Sequence, residues 1–220
     1  MKITLSPIRL VPVLALAALA ACETTHQEVA SSTQQEPGKT AQPQLPPGWT
    51  EADMQACMAA GAPGAQHKEL ARSIGHWSGT CTQWMAPGTE PMKSEVTCDM
   101  SNFLDGRFVK CEYSGEIPGM GPFHGIGFNG FDNVAQKYVS IWLDNCGTGI
   151  MTGEGSQSAD GKTLTWNYRY SCPLTKKQQT MRQVERWTGD DAMTLEAYGN
   201  DPKSGKEYQV MRIEVTRSKP

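Results

Sequence analysis

The chain has 220 residues, of which 38% are hydrophobic and 20% charged, and a formal net charge of −3 at neutral pH. This length fits one folded core of ordinary size. The excess of acidic residues, with no basic face, excludes nucleic acid as a partner.

The N-terminus carries Lys2 and Arg9, then an uncharged run from Leu10 to Ala21. A basic start followed by a short apolar run is the pattern of a signal peptide, and a dozen residues are too few to span a bilayer, which takes roughly 20. The run ends in Leu19-Ala20-Ala21-Cys22, which resembles a bacterial lipobox. Residues 1–21 are therefore expected to be a lipoprotein signal peptide and Cys22 the lipidated residue, anchoring the chain to a membrane by its acyl chains. Ordinary cleavage after Ala20 is the competing reading. Removing the signal takes two of the 20 basic residues, leaving 18 against 23 acidic ones and a net charge near −5.

Residues 22–49 are rich in Ser, Thr, Gln and Pro and nearly empty of large apolar groups. Such a stretch cannot bury enough surface to offset its ordering entropy, so it reads as a tether, with His26 a solvated bystander. Glu23 follows the lipidated cysteine in place of the aspartate that resembles an inner-membrane retention signal. The expected location is the bacterial cell envelope, facing the periplasm, with the outer membrane favoured.

Subtracting Cys22 from seven cysteines leaves Cys57, Cys81, Cys98, Cys111, Cys146 and Cys172. An even number in an exported chain reads as a disulfide framework. No two lie closer than 13 positions and no histidine stands at a complementary spacing, so no metal site is expected. Cys98 and Cys111 fall on facing strands, opposite or one diagonal step apart, with Cys81 competing for the same partner. Cys146 and Cys172 fall at one end of a meander and are paired as a hypothesis.

Residues 50–220 form the expected domain. Thr50-Glu51-Ala52-Asp53 has capping-box form and predicts a helix over 51–60, stopped by Gly61 and Pro63. A second is predicted over 65–74, where His67, Leu70, Ala71 and Ile74 share a face. Beyond Trp77 apolar residues alternate, and turn residues recur roughly every ten positions, which predicts about ten strands. They fall near 77–85, 93–101, 107–115, 122–130, 137–143, 148–156, 162–171, 178–187, 192–198 and 206–216. Short connections require an antiparallel up-and-down meander, and closure into a barrel removes its two edges.

Gly125-Ile126-Gly127-Phe128-Asn129-Gly130 matches a dinucleotide-binding glycine pattern but is followed by a turn and a strand, so these glycines read as sheet residues allowing close approach. His67 reads as a packing residue, and Asp132 and Asp144 as turn residues. His76 and His124 reach a carboxylate only if a barrel brings them together. No catalytic residue and no cofactor is expected. Tyr113, Trp142, Trp166, Tyr168 and Met181 occupy alternating positions that can point inward, either filling a core or lining a small apolar site. Arg182, Glu185 and Arg186 look like a solvated face, although Glu185 shares parity with Met181 and Trp187.

Several segments carry a family likeness. His67-Lys68-Glu69-Leu70, Gly75-His76-Trp77-Ser78-Gly79, the stretch from Trp84 to Met92 and Gly106-Arg107-Phe108 resemble the uncharacterised bacterial family DUF1579. So do Gly130-Phe131-Asp132-Asn133, the stretch from Lys137 to Asp144 and Thr148-Gly149-Ile150-Met151. The likeness runs from about 67 to 217. It implies a lipocalin-like β-barrel and carries over no catalytic residue. The lipobox, tether and extra cysteines depart from the family pattern.

The expected function is an envelope lipoprotein whose lipocalin-like barrel binds a small apolar or amphipathic molecule. The alternative is a protein-interaction or structural module with a solid barrel, whose turns 86–91 and 117–122 meet a partner. An enzyme is the third reading.

Overall fold

The computed structural model describes residues 45–218. The expected signal peptide, Cys22 and the expected tether up to residue 44 lie outside them. Ten strands follow two short helices, α1 (Glu51–Ala60) and α2 (Ala65–Ala71). The strands are β1 (Gly75–Gln83), β2 (Met92–Phe103), β3 (Phe108–Ile117), β4 (Gly121–Asp132), β5 (Lys137–Asp144), β6 (Met151–Gln157), β7 (Thr163–Ser171), β8 (Gln178–Gly189), β9 (Ala192–Asn200) and β10 (Glu207–Arg217). Every neighbouring pair is antiparallel, and β1 pairs with both β2 and β10, so the sheet closes into a barrel. The expected meander is the observed one. Most ends fall within two residues of expectation and two differ by three: β6 begins at Met151, because Cys146 to Ile150 form an irregular loop, and α2 stops at Ala71, because residues 72–74 tighten into turns.

The elements form for local reasons. Thr50 caps α1 reciprocally with Asp53, each satisfying a donor of the other. At α2 the Gly64 N–H donates to Nδ1 of His67 at 3.0 Å, and the imidazole meets Phe131 edge-on. His67 is thus a buried cap and packing residue. Asp132 accepts the N–H groups of Val134 and Ala135, fixing the β4–β5 turn. From that turn Asn133 donates to the carbonyls of Ala60 and Ala62, fastening the end of α1 to the barrel.

Part of the core packs at the α2 end of the barrel, where Trp77 is nearly inaccessible and meets Trp187 edge-on. Arg217, near the end of β10, lies 4.2 Å from the Trp77 ring centre and donates to Asp191 and to the carbonyls of Arg72 and Ile74. This clamp holds the turn between α2 and β1 against the barrel. Gly75, with φ of +142°, lies under the Arg217 guanidinium, where a side chain would collide with it.

The expected disulfides are not formed: all six cysteines among the described residues are free. The register gives the reason for the first pair. Cys98 faces Tyr113 and Met100 faces Cys111, so the two thiols stand one diagonal step apart. Diagonal neighbours are separated by about 7–8 Å, beyond the span of a disulfide. Cys81 faces Ser94 and Ile213 and has no cysteine opposite. Cys146 and Cys172 do share one end of the barrel, in the β5–β6 and β7–β8 connections, but they are not bonded to each other. Cys146 is exposed and Cys172 buried, and Cys57 is exposed on α1.

Candidate functional site

Strand alternation turns one residue in two inward, and inside this barrel those residues pack against one another without filling the whole interior. They leave a cavity of about 370 Å³. Its floor is α2 and the turn after it, through Glu69, Leu70 and Ser73; at the other end it reaches Glu116, Ile117 and Cys146 in and beside the β3–β4 and β5–β6 connections. A solid interior, one of the two expectations, is not what the chain forms.

Four of the five aromatic and methionine candidates line this space: Tyr113, Trp142, Tyr168 and Met181. Trp166 does not. It is fully buried in the wall, between Tyr138 and Tyr168. Glycines on the neighbouring strands seat these rings. A Cβ at Gly155 would stand 2.6 Å from the Trp166 ring, and one at Gly153 would stand 2.7 Å from the Tyr168 ring. Trp142 lies over Gly125 and Gly127, so the dinucleotide-like glycine pattern is a ring seat in β4. Trp142 also meets Tyr113 edge-on and donates from Nε1 to Asp144 at 2.8 Å.

Inward parity brings a polar cluster into this apolar wall. Glu185, on β8, is enclosed by protein, and the surface it keeps faces the cavity. Its Oε1 accepts from Nε1 of Trp166 at 3.0 Å and from Nε2 of Gln183 at 2.9 Å. Desolvation pushes its carboxyl up to about 7, against the pull of those two donors. Across the cavity the Ser140 hydroxyl donates to Oδ1 of Asn129 at 2.7 Å, so at 2.8 Å it accepts from the Tyr168 hydroxyl. The sequence signal for Glu185 is its parity with Met181 and Trp187. Ser140, Asn129 and Gln183 carry the same period-two signal and were missed, because single polar residues on an inward face look like interruptions.

The remaining candidates are elsewhere. His76 pairs with Asp99 on the outer surface. His124 is also exposed, with Nδ1 against the Ser114 hydroxyl. Neither enters the barrel. Burial pushes the Cys98 thiol up to about 12 and that of Cys111 well above its usual range, so both are protonated and poor nucleophiles. Among the described residues no three His, Cys, Asp or Glu side chains converge as a metal would require.

The family model described as protein of unknown function (DUF1579) matches residues 62–217, the whole barrel and α2. The chain belongs to this family. No curated protein matches this DUF1579 member. Among solved structures it is similar to Rv2717c from M. tuberculosis, at 13% identity and a TM-score of 0.56, over 72% of this chain and 100% of that one. It is also similar to the S-type phycobiliprotein lyase CPES from Guillardia theta, at 10% identity and a TM-score of 0.50, over 74% of this chain and 97% of that one. At such identities the likeness establishes the barrel fold of this DUF1579 chain and nothing about its ligand.

Proposed function

We propose that this protein is a lipid-anchored barrel of the bacterial envelope that holds a small apolar or amphipathic molecule in its interior. The cavity carries the reading. Its volume lies in the range of small-molecule sites, and its wall combines aromatic and methionine side chains with a few inward polar groups that can orient a ligand. Similarity to a phycobiliprotein lyase is compatible with a barrel used as a container. Acylation of Cys22 would supply the membrane link and residues 22–49 the reach, with the outer membrane favoured by Glu23. Native mass spectrometry of the purified protein, followed by solvent extraction, tests the container: a bound small molecule is expected. A barrel that carries none and takes up no apolar probe would overturn it. Incorporation of labelled palmitate, lost in Cys22→Ser, tests the anchor.

A second reading, an interaction module, draws on the loops at the end opposite α2. Met85, Met120, Ile150 and Leu174 are exposed there, one in each of four connections. Crosslinking in cells that gave one dominant protein partner through these loops would favour it.

A further inference from the structure

The cavity has an unbalanced charge pattern. Glu69, Glu95, Glu116, Asp144 and Glu185 border it, and among the described residues no Lys, Arg or His does; Glu69, Glu95 and Glu116 are exposed, and Glu69 is paired with Arg72. Of these, Glu185 lies deep in the barrel, on the inward face between Gln183 and Trp187, and the other four stand at or near the two ends. Two donors converge on its Oε1, and among the described residues no side chain donates to Oε2. One oxygen is therefore fixed by the wall, and the other is left without a side-chain donor on a residue that lines the space. A carboxylate held in an apolar chamber with no internal cation has the highest gain from an incoming one.

We infer that the ligand is an amphiphile with a protonated amine, its apolar body against Tyr113, Trp142, Met181 and Trp187 and its ammonium donating to Oε2 of Glu185. The inference rests on the container reading above and names its ligand class. A fatty acid or other anionic amphiphile would bring a second negative charge to Glu185 with no base to receive it.

The groups that face Glu185 from the surrounding strands are Cys98 on β2, Cys111 and Tyr113 on β3 and Tyr168 on β7. Burial raises the pKa of each above its ordinary value, so all four stay neutral through pH 8. Glu185, near 7, is then the group among these that titrates around neutrality. Alkylamines stay protonated there, with pKa near 10 as for Lys.

The test uses the full chain carrying Cys22→Ser, which needs no detergent, and three probes with one tail: n-octylamine, n-octanol and n-octanoate. Binding is read by calorimetry at pH 6 and pH 8. Octylamine is expected to bind roughly tenfold or more tighter than octanoate at pH 8. Its affinity should rise about tenfold from pH 6 to pH 8 as Glu185 ionises, and Glu185→Gln should abolish both the preference and the rise. Gln keeps an oxygen for the Trp166 N–H, and the pH series on unsubstituted Glu185 stands whether or not that variant folds. Equal binding of all three probes, tighter octanoate, or an amine preference that survives Glu185→Gln overturns the amine assignment while the container reading stands. If no probe binds, the container reading falls and the amine assignment with it.

Discussion

Trp166 Nε1 donates to Glu185 Oε1 at 3.0 Å, joining the most deeply buried indole of the barrel wall to the carboxyl that faces the cavity. The bond couples the packing of β7 to the charge state of β8.

Glu185 makes stability depend on pH in a definable window. Its folded pKa, about 7, exceeds the ordinary carboxylate value of 4.5. The folded state therefore holds the proton longer than the unfolded one. The stabilisation from that proton is complete below about pH 4.5 and is lost as pH rises to 7, for a change of at most about 3 kcal/mol. Glu185→Gln removes this dependence. Urea unfolding of both proteins should show the variant gaining about 2 kcal/mol on the parent between pH 5 and pH 8. A constant difference would mean that Glu185 ionises like an exposed carboxyl.

Gly155→Ala should be costly. A methyl there would stand 2.6 Å from Cε3 and 2.9 Å from Cζ3 of Trp166, inside contact distance. The ring is enclosed, so its retreat also breaks the bond to Glu185. The expected loss is about 1–3 kcal/mol with an altered near-ultraviolet circular dichroism signal. The same substitution at the exposed turn residue Gly147, where nothing lies close, is the control.

The hydroxyl relay from Tyr168 through Ser140 to Asn129 should behave as a unit. Ser140→Ala strips a partner from both neighbours, at about 1–3 kcal/mol. Once Tyr168→Phe is in place, part of that loss is already taken. The double variant should therefore fall short of the sum of the singles by about 1 kcal/mol in denaturant unfolding.

Thiol labelling separates the observed cysteines from a bridged framework. In the native protein Cys57 and Cys146 should react within minutes with iodoacetamide, and buried Cys81, Cys98, Cys111 and Cys172 should react only on unfolding. Peptide mapping that recovered a bridged pair from these six would contradict the free state.

Loss of the Arg217 clamp should loosen one end of the barrel. Arg217→Lys keeps the charge but cannot reach Asp191 and two carbonyls at once while stacking on Trp77. Hydrogen exchange should accelerate over residues 65–78 with the far strands unchanged.

Alternation, turn chemistry and short connections were written in the residues themselves. Ten strands, their order, the capping box at Thr50 and the family likeness therefore came from the sequence alone, since each depends on neighbours within a few positions. The proposed leader and the acylation of Cys22 rest on sequence alone as well. What the tertiary structure decided was register and volume. A one-step diagonal between Cys98 and Cys111 turns a plausible bridge into two free thiols, and no local pattern encodes that step. The same holds inside the barrel. Whether Tyr113, Trp142, Tyr168 and Met181 fill the core or line a space depends on how far apart ten curved strands hold them. Glu185 likewise looks like half of a solvated ion-pair strand until closure turns its face inward and removes the water that kept it charged.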